Sequence, residues 1–230
     1  PRPIAPTYEK ASGDHIVSGG TGGLGLLTGR WLAQRGARRL FLASRSGALA
    51  RNTASEWEAV RTTDAVTSLV QCDTCERAHI RRLVALVPIL DGAWHAAGVL
   101  ADALLSNQTA GTLGRSYAPK AHGAQSLHGA ILSPSSTCVL FSSVMALLGG
   151  AGQANYSAAN MCLDALASYR RARSQVATSV QWGAWAEVGM AARGAASERM
   201  AAMEAASGFS RIGLAQGLGA LGTAVQHGSS

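Results

Sequence analysis

Ser18-Gly19-Gly20-Thr21-Gly22-Gly23-Leu24-Gly25 is the stretch that decides how this chain is read. Gly19, Gly23 and Gly25 stand at the spacing G-x-x-x-G-x-G, where a side chain would keep a pyrophosphate away from the backbone amides at a helix N-terminus. A glycine-rich turn alone is weak evidence, and its neighbours give it weight. The run His15–Ser18 before it reads as a strand. After it, Leu24, Leu27, Trp31 and Leu32 recur every three to four residues until Gly36 stops the pattern. Strand, glycine turn and helix in that order point to a dinucleotide site. Its expected contacts in the turn are Gly19, Thr21, Gly22, Gly23, Leu24 and Gly25.

Outward from the turn, short apolar or β-branched runs alternate with helical patterns, as in a parallel sheet flanked by helices. Strands are predicted at His15–Ser18, Arg39–Ala43, Val66–Gln71, Gly92–Ala96, Thr137–Ser142 and Thr178–Trp182. The fold class is therefore α/β, a doubly wound parallel sheet of Rossmann type. A long helix is predicted over Asn155–Arg173, with Tyr156, Asn160, Leu163 and Ala167 along one stripe, and a weak one in the polar region Gly47–Asp64. Residues 1–12, with Pro1, Pro3 and Pro6, read as an incoming linker, 13–225 as one catalytic domain and 226–230 as a tail. Beyond Trp185 the composition turns to Gly, Ala and Ser with Met190, Met200 and Met203. Periodicity there does not separate a mobile lid from plain packing helices.

Composition narrows the function. With 47% hydrophobic and 14% charged residues, 230 residues build one sizeable core. The formal charge of +7 suits nucleic acid, acidic partner proteins or phosphorylated ligands. The arginines are scattered and not interleaved with aromatics, so nucleic-acid binding is not expected. No run of about 18 apolar residues exists to cross a membrane, and no signal peptide is expected. Cys72-x-x-Cys75 has no second close pair to complete a zinc site, and Cys138 and Cys162 stand alone in apolar surroundings. Reduced thiols and a cytoplasmic location are the expectation. His15, His79, His122, His128 and His227 have no carboxylate or Cys at ligand spacing, so no metal is expected.

The second strand ends in Ala43-Ser44-Arg45-Ser46, where an NAD-selective site would carry an acid for the ribose hydroxyls. Ser44 and Arg45 offer donors to a 2′-phosphate instead, which points to NADPH; a surface Arg at a strand end is the plain alternative. Cys72-Asp73 closes the third strand, where the carboxylate can accept from the adenine amino group or, equally by local pattern, cap a helix.

Ser143 ends the fifth strand, Tyr156 follows thirteen residues later, and Asn160 lies one helical turn beyond on the same face. This Ser–Tyr pair resembles that of the short-chain dehydrogenases. The Asn four residues after the Tyr, with Lys120 upstream in Ala118-Pro119-Lys120, is similar to the ketoreductases of polyketide and fatty-acid synthases. His95-Ala96-Ala97-Gly98-Val99, Gly152-Gln153-Ala154-Asn155-Tyr156 and Gln181-Trp182-Gly183-Ala184-Trp185 extend the resemblance over nearly the whole chain.

The resemblance implies reduction of a β-ketoacyl thioester by NADPH. Tyr156 would donate the proton, Lys120 supply positive charge and hold the nicotinamide ribose, Ser143 polarise the ketone, and Asn160 order the helix and a proton-relay water. An ammonium beside Tyr156 is expected to lower a phenol pKa that is ordinarily about 10. His95, with Ala96 and Ala97, belongs to the motif lining the cofactor cleft, and a packing role is expected for it. The partners implied are an acyl-carrier protein bearing a phosphopantetheine-tethered chain and neighbouring synthase domains.

The match also departs from the family. Ser18 stands where Thr is usual, and the hydroxyl is kept. Leu100-Ala101-Asp102 replaces the Leu-Asp-Asp of one stereochemical class, while Leu148 stands where the other class has a tryptophan. Asp102 at substrate entry therefore points to a D-hydroxyl product. Ketoreductases of this kind usually carry a preceding non-catalytic subdomain, and the chain begins at its edge, as a fragment of a megasynthase would. A stand-alone carbonyl reductase and a catalytically silent nucleotide-binding module are the competing expectations.

Overall fold

The computed structural model describes residues 11–131, 133–189 and 210–228, with side chains to 226. Six parallel strands form one sheet in the order β3-β2-β1-β4-β5-β6. They are β1 (Gly13–Ser18), β2 (Ala37–Ser44), β3 (Val66–Gln71), β4 (Gly92–His95), β5 (Thr137–Ser143) and β6 (Thr178–Trp182). The strand expectations hold to within a residue or two at each end. The helices are α1 (Gly23–Ala33), α2 (Ala54–Arg61), α3 (Arg77–Ala85), α4 (Ala110–Tyr117), α5 (Gly123–Ala130), α6 (Met145–Leu148), α7 (Ala154–Arg171) and α8 (Leu214–Gly228). A π-helical turn, Ala118–His122, joins α4 to α5. The weak helix expected between Gly47 and Asp64 is α2, and the last helix runs past residue 225 to Gly228. Met190, Met200, Met203 and the proline-rich start lie outside the described residues.

The sheet is double-sided. On one face Leu26, Leu27, Trp31 and Leu32 of α1 pack with Leu40, Leu42, Trp94 and Val139, and Trp31 meets Trp94 edge-on with ring centroids 5.8 Å apart. On the other face Leu163, Leu166 and Ala167 of α7 pack with Ala93, Cys138 and Leu140, and Ile80 and Leu83 of α3 pack with Ile16 and Phe41. Strands buried on both faces read as near-continuous apolar runs, as Leu40–Ala43 of β2 and Cys138–Phe141 of β5 do. The strand order reverses between β1 and β4, so the carboxyl ends of those strands open a crevice at the switch point.

Candidate active site

A cleft of about 470 Å³ occupies that crevice. The expected turn residues Gly19, Thr21, Gly22, Gly23, Leu24 and Gly25 line it, as do Ser44, Arg45, Cys72, Asp73, Ala96 and Ala97. Thr74, Cys75, Gly98, Val99 and Pro119 also line it, and the sequence reading gave none of them a cofactor role.

Two glycines explain the shape of the turn. Gly19 has φ +70°, and a Cβ there would lie 2.8 Å from the Ala97 amide nitrogen, so the turn closes on the loop after β4. A Cβ on Gly25 would lie 2.2 Å from the Gly19 carbonyl, so α1 starts hard against the turn. The α1 N-cap, Gly22, has no capping side chain, and no acid sits in the first turn. The amides of Gly23, Leu24 and Gly25 therefore face the cleft end of a helix dipole without intrahelical acceptors, which suits a pyrophosphate. A dinucleotide fits these residues.

At the far wall, Ser44 Oγ accepts from the Gly47 amide at 3.1 Å, which keeps its own proton available. Arg45 is exposed and makes no hydrogen bond or ion pair among the described residues. Asp73 is partly committed locally: its Oδ1 accepts from the Cys75 amide at 3.0 Å, closing the turn into α3. Both thiols beside it are held above the usual cysteine range, chiefly by burial, with Cys75 pushed up to about 11. They remain protonated.

The expected catalytic residues meet at the carboxyl end of β5. Lys120 is 3% exposed, its Nζ donates to the Phe141 carbonyl at 2.8 Å, and it lies 5.4 Å from the centre of the Tyr156 ring. Burial pulls the ammonium down to about 7, while Asp164 pulls the other way. Asn160 is fully buried. Its Nδ2 donates to the Tyr156 carbonyl one turn earlier at 2.8 Å, and its Oδ1 has no partner among the described residues. Ser143 Oγ accepts from the Met145 amide at 3.2 Å and donates weakly to the Trp182 carbonyl at 3.4 Å.

Two expectations about this cluster need correction. Tyr156 is not lowered: burial pushes the phenol above its ordinary value, against hydrogen bonding from Asn160 and Ser143. The cause is desolvation of the phenolate, which outweighs its neighbours. Neither Lys120 nor Tyr156, also expected at the cofactor, is among the residues lining the cleft, and nor is His95. His95 is fully buried beneath it, with Nδ1 2.6 Å from Ser18 Oγ and Nε2 3.0 Å from the Lys120 carbonyl.

Asp102 lies in the loop after β4, where Gln153 Nε2 donates to its carboxylate at 3.3 Å. The Ala103 amide bonds the Gly152 carbonyl at 2.8 Å, and buried Asn155 donates to the carbonyls of Ala101 and Thr112. The 101–103 loop and the turn entering α7 at 152–155 are thus one clamped unit. Its charge is felt at Tyr156, where Asp102 raises the phenol. Asp164 was missed. It accepts from Ser179 Oγ and Gln181 Nε2 at 2.5 and 2.8 Å, joining α7 to β6, and the only signal for it was its place four residues after Asn160.

A dinucleotide crevice with a cluster of Ser, Tyr and Lys beside it, reached through Gly98 and Pro119 of its lining, defines an oxidoreductase built on a Rossmann-type sheet. A KR domain family model matches residues 13–187. Polyketide synthase GfsB of Streptomyces halstedii is 42% identical over 193 residues, 82% of this chain and 4% of that protein. The phthioceranic/hydroxyphthioceranic acid synthase of Mycobacterium tuberculosis is 37% identical over 227 residues, 95% of this chain and 10% of that protein. Among solved structures, A-type ketoreductases from a modular polyketide synthase superpose with a TM-score of 0.89 at 34% identity, over 98% of this chain and 48% of that one. The first ketoreductase of the tylosin polyketide synthase gives 0.83 at 35% identity, over 94% and 47%. The chain belongs to the KR domain family, the ketoreductases of polyketide synthases. It spans between 4% and 10% of the curated relatives' length and about half of the matched ketoreductase structures.

Proposed function

We propose that residues 13–225 are the catalytic domain of an NADPH-dependent reductase that converts a carrier-bound β-ketoacyl thioester to the β-hydroxyacyl thioester. The observation that carries this reading is the meeting of Lys120 and Tyr156 from elements thirty-six residues apart, beside Gly98 and Pro119 of a glycine-lined cleft. NADPH, when bound, supplies the hydride. Gly23–Gly25 would hold its pyrophosphate, Ser44 and Arg45 its 2′-phosphate, and Lys120 and Tyr156 its nicotinamide ribose.

The protein's own groups supply the proton and the polarisation. Tyr156 begins protonated because burial raises its phenol. A ketone gaining a hydride becomes an alkoxide, a far stronger base than phenolate, so the transfer stays downhill despite the raised value. Lys120, as a cation, stabilises the phenolate left behind. Its one bond to Phe141 leaves N–H groups for ribose hydroxyls. The Ser143 bond to Trp182, at 3.4 Å, is weak enough to be exchanged for the ketone oxygen. Asn160 Oδ1 is a buried acceptor placed to hold a relay water that returns a proton to Tyr156.

Asp102, on the clamped entry loop, directs the acyl chain so that a D-hydroxyl results. An acyl-carrier protein delivers the chain, and neighbouring synthase domains flank the reductase in the cytoplasm. Among the described residues no helix is long and apolar enough to cross a membrane. The test is direct: a diketide thioester and NADPH are mixed with the protein, and cofactor absorbance and hydroxyacyl product are followed. Stoichiometric oxidation and product formation are expected. Turnover of free ketones with none of the thioester would overturn the reading.

A further inference from the structure

His95 is a fully buried titratable group beside the site that the mechanism leaves unused. Its ring is fully engaged. The Lys120 carbonyl can only accept, so Nε2 carries the ring proton and donates it across 3.0 Å. Nδ1 is then a bare acceptor, and the Ser18 hydroxyl donates to it at 2.6 Å. Burial, together with the Lys120 charge, pulls the imidazole down to about 4, so this neutral tautomer persists across the working pH range.

The carbonyl that His95 holds lies inside the π-helical turn Ala118–His122. Pro119 explains why that turn is not α-helical: it has no N–H to donate, and its ring crowds the carbonyl four residues earlier, Arg115. The turn is locally weak. Reverting it to a regular α-turn would shift the register by one residue and swing Lys120 about 100° around the helix axis. Lys120 is held at its tip by the Phe141 carbonyl, and its stem passes the Gly98 backbone so closely that a Cβ there would lie 3.0 Å from Cε. His95 holds the other end. Its own place is kept by Gly123, where a Cβ would come within 3.0 Å of the imidazole Cε1.

We propose that His95 is a positioning residue: through the Ser18 hydroxyl and the Lys120 carbonyl it ties the glycine turn of the cofactor site to the π-turn, and so sets where the Lys120 ammonium stands. This rests on the reading that Lys120 serves Tyr156 and the ribose.

The experiment is a double-mutant cycle measured on thioester reduction by the intact protein. His95→Phe keeps the ring's shape and removes both nitrogens. It should lower kcat about tenfold to a hundredfold, the scale of a misplaced catalytic group, and raise the KM for NADPH. On a Lys120→Ala background the same change should alter kcat less than about twofold, because residues acting through one group are not additive. His95→Gln places an amide N–H near the Lys120 carbonyl and should restore most of kcat. His95→Asn, too short to reach, should not. That pair decides the matter if His95→Phe does not fold. Equal losses in both backgrounds, or equal kcat for the Gln and Asn variants, would overturn the His95 role and leave the lysine's role standing. Normal turnover by Lys120→Ala alone would remove the lysine assignment, and the His95 role with it.

Discussion

Replacing Lys120 by Met should make the protein more stable and less active, and the size of the gain follows from the site. An ammonium whose pKa falls from 10.5 to about 7 on folding binds its proton more weakly in the folded state than in the unfolded chain. At one pKa unit per 1.36 kcal/mol, that difference amounts to about 4–5 kcal/mol of lost stability at neutral pH. The sign follows from proton counting. The cost is complete below the folded value near 7, shrinks between about pH 7 and 10.5, where the folded lysine is neutral and the unfolded one still holds its proton, and is gone above about pH 10.5. Met fills similar space without the charge but leaves the Phe141 carbonyl without its charged donor, a loss of about 1.5–3 kcal/mol. The net gain near pH 7 should be about 1–3 kcal/mol, or about 2–4 °C in Tm for each kcal/mol at this chain length. Thermal unfolding of both proteins from pH 6 to pH 10 is the assay. The stabilisation should narrow steadily with rising pH while turnover stays lost. A Lys120→Met protein that melts lower than the parent at pH 7 would refute the claim that this cation is held against its own desolvation.

Arg45→Ala should weaken NADPH about tenfold to a hundredfold and spare NADH, because its guanidinium, with no partner among the described residues, lines the cleft where the 2′-phosphate would lie; equal loss for both cofactors in a binding titration would remove Arg45 from that role. Gly25→Ala should abolish cofactor binding or prevent folding, since its Cβ would lie 2.2 Å from a backbone carbonyl; unaltered affinity would show that the turn can open. Chiral chromatography of the reduced diketide should give mainly the D-hydroxy product, and a dominant L-product would show that Asp102 beside Ala101 does not direct entry.

The parts of the molecule legible in the sequence are those governed by local rules. Leu40–Ala43 of β2 and Cys138–Phe141 of β5 are apolar because both faces of the sheet are covered, and the glycines at 19 and 25 are required by atoms within the same turn or the loop beside it. The cluster of Ser143, Tyr156, Asn160 and Lys120 was legible only through family resemblance, since no periodicity joins Lys120 to Tyr156. The rest depends on distant contacts. His95 reads locally as one more β4 residue, and its partners lie 77 and 25 positions away. Pro119 marks a break in a helix without saying that a π-turn results. Tyr156 was expected to be lowered by a nearby charge because spacing reveals partners but not burial, and burial decided the direction.

The central claim is that Tyr156 is the proton donor, and single-turnover reduction by Tyr156→Phe tests it most directly. The substitution removes the hydroxyl and keeps the ring beside Lys120, so NADPH should bind with nearly unchanged affinity while the rate of β-hydroxyacyl formation falls about 10²–10⁴-fold. Near-normal reduction by Tyr156→Phe would contradict the assignment of the acid and with it the proposed mechanism.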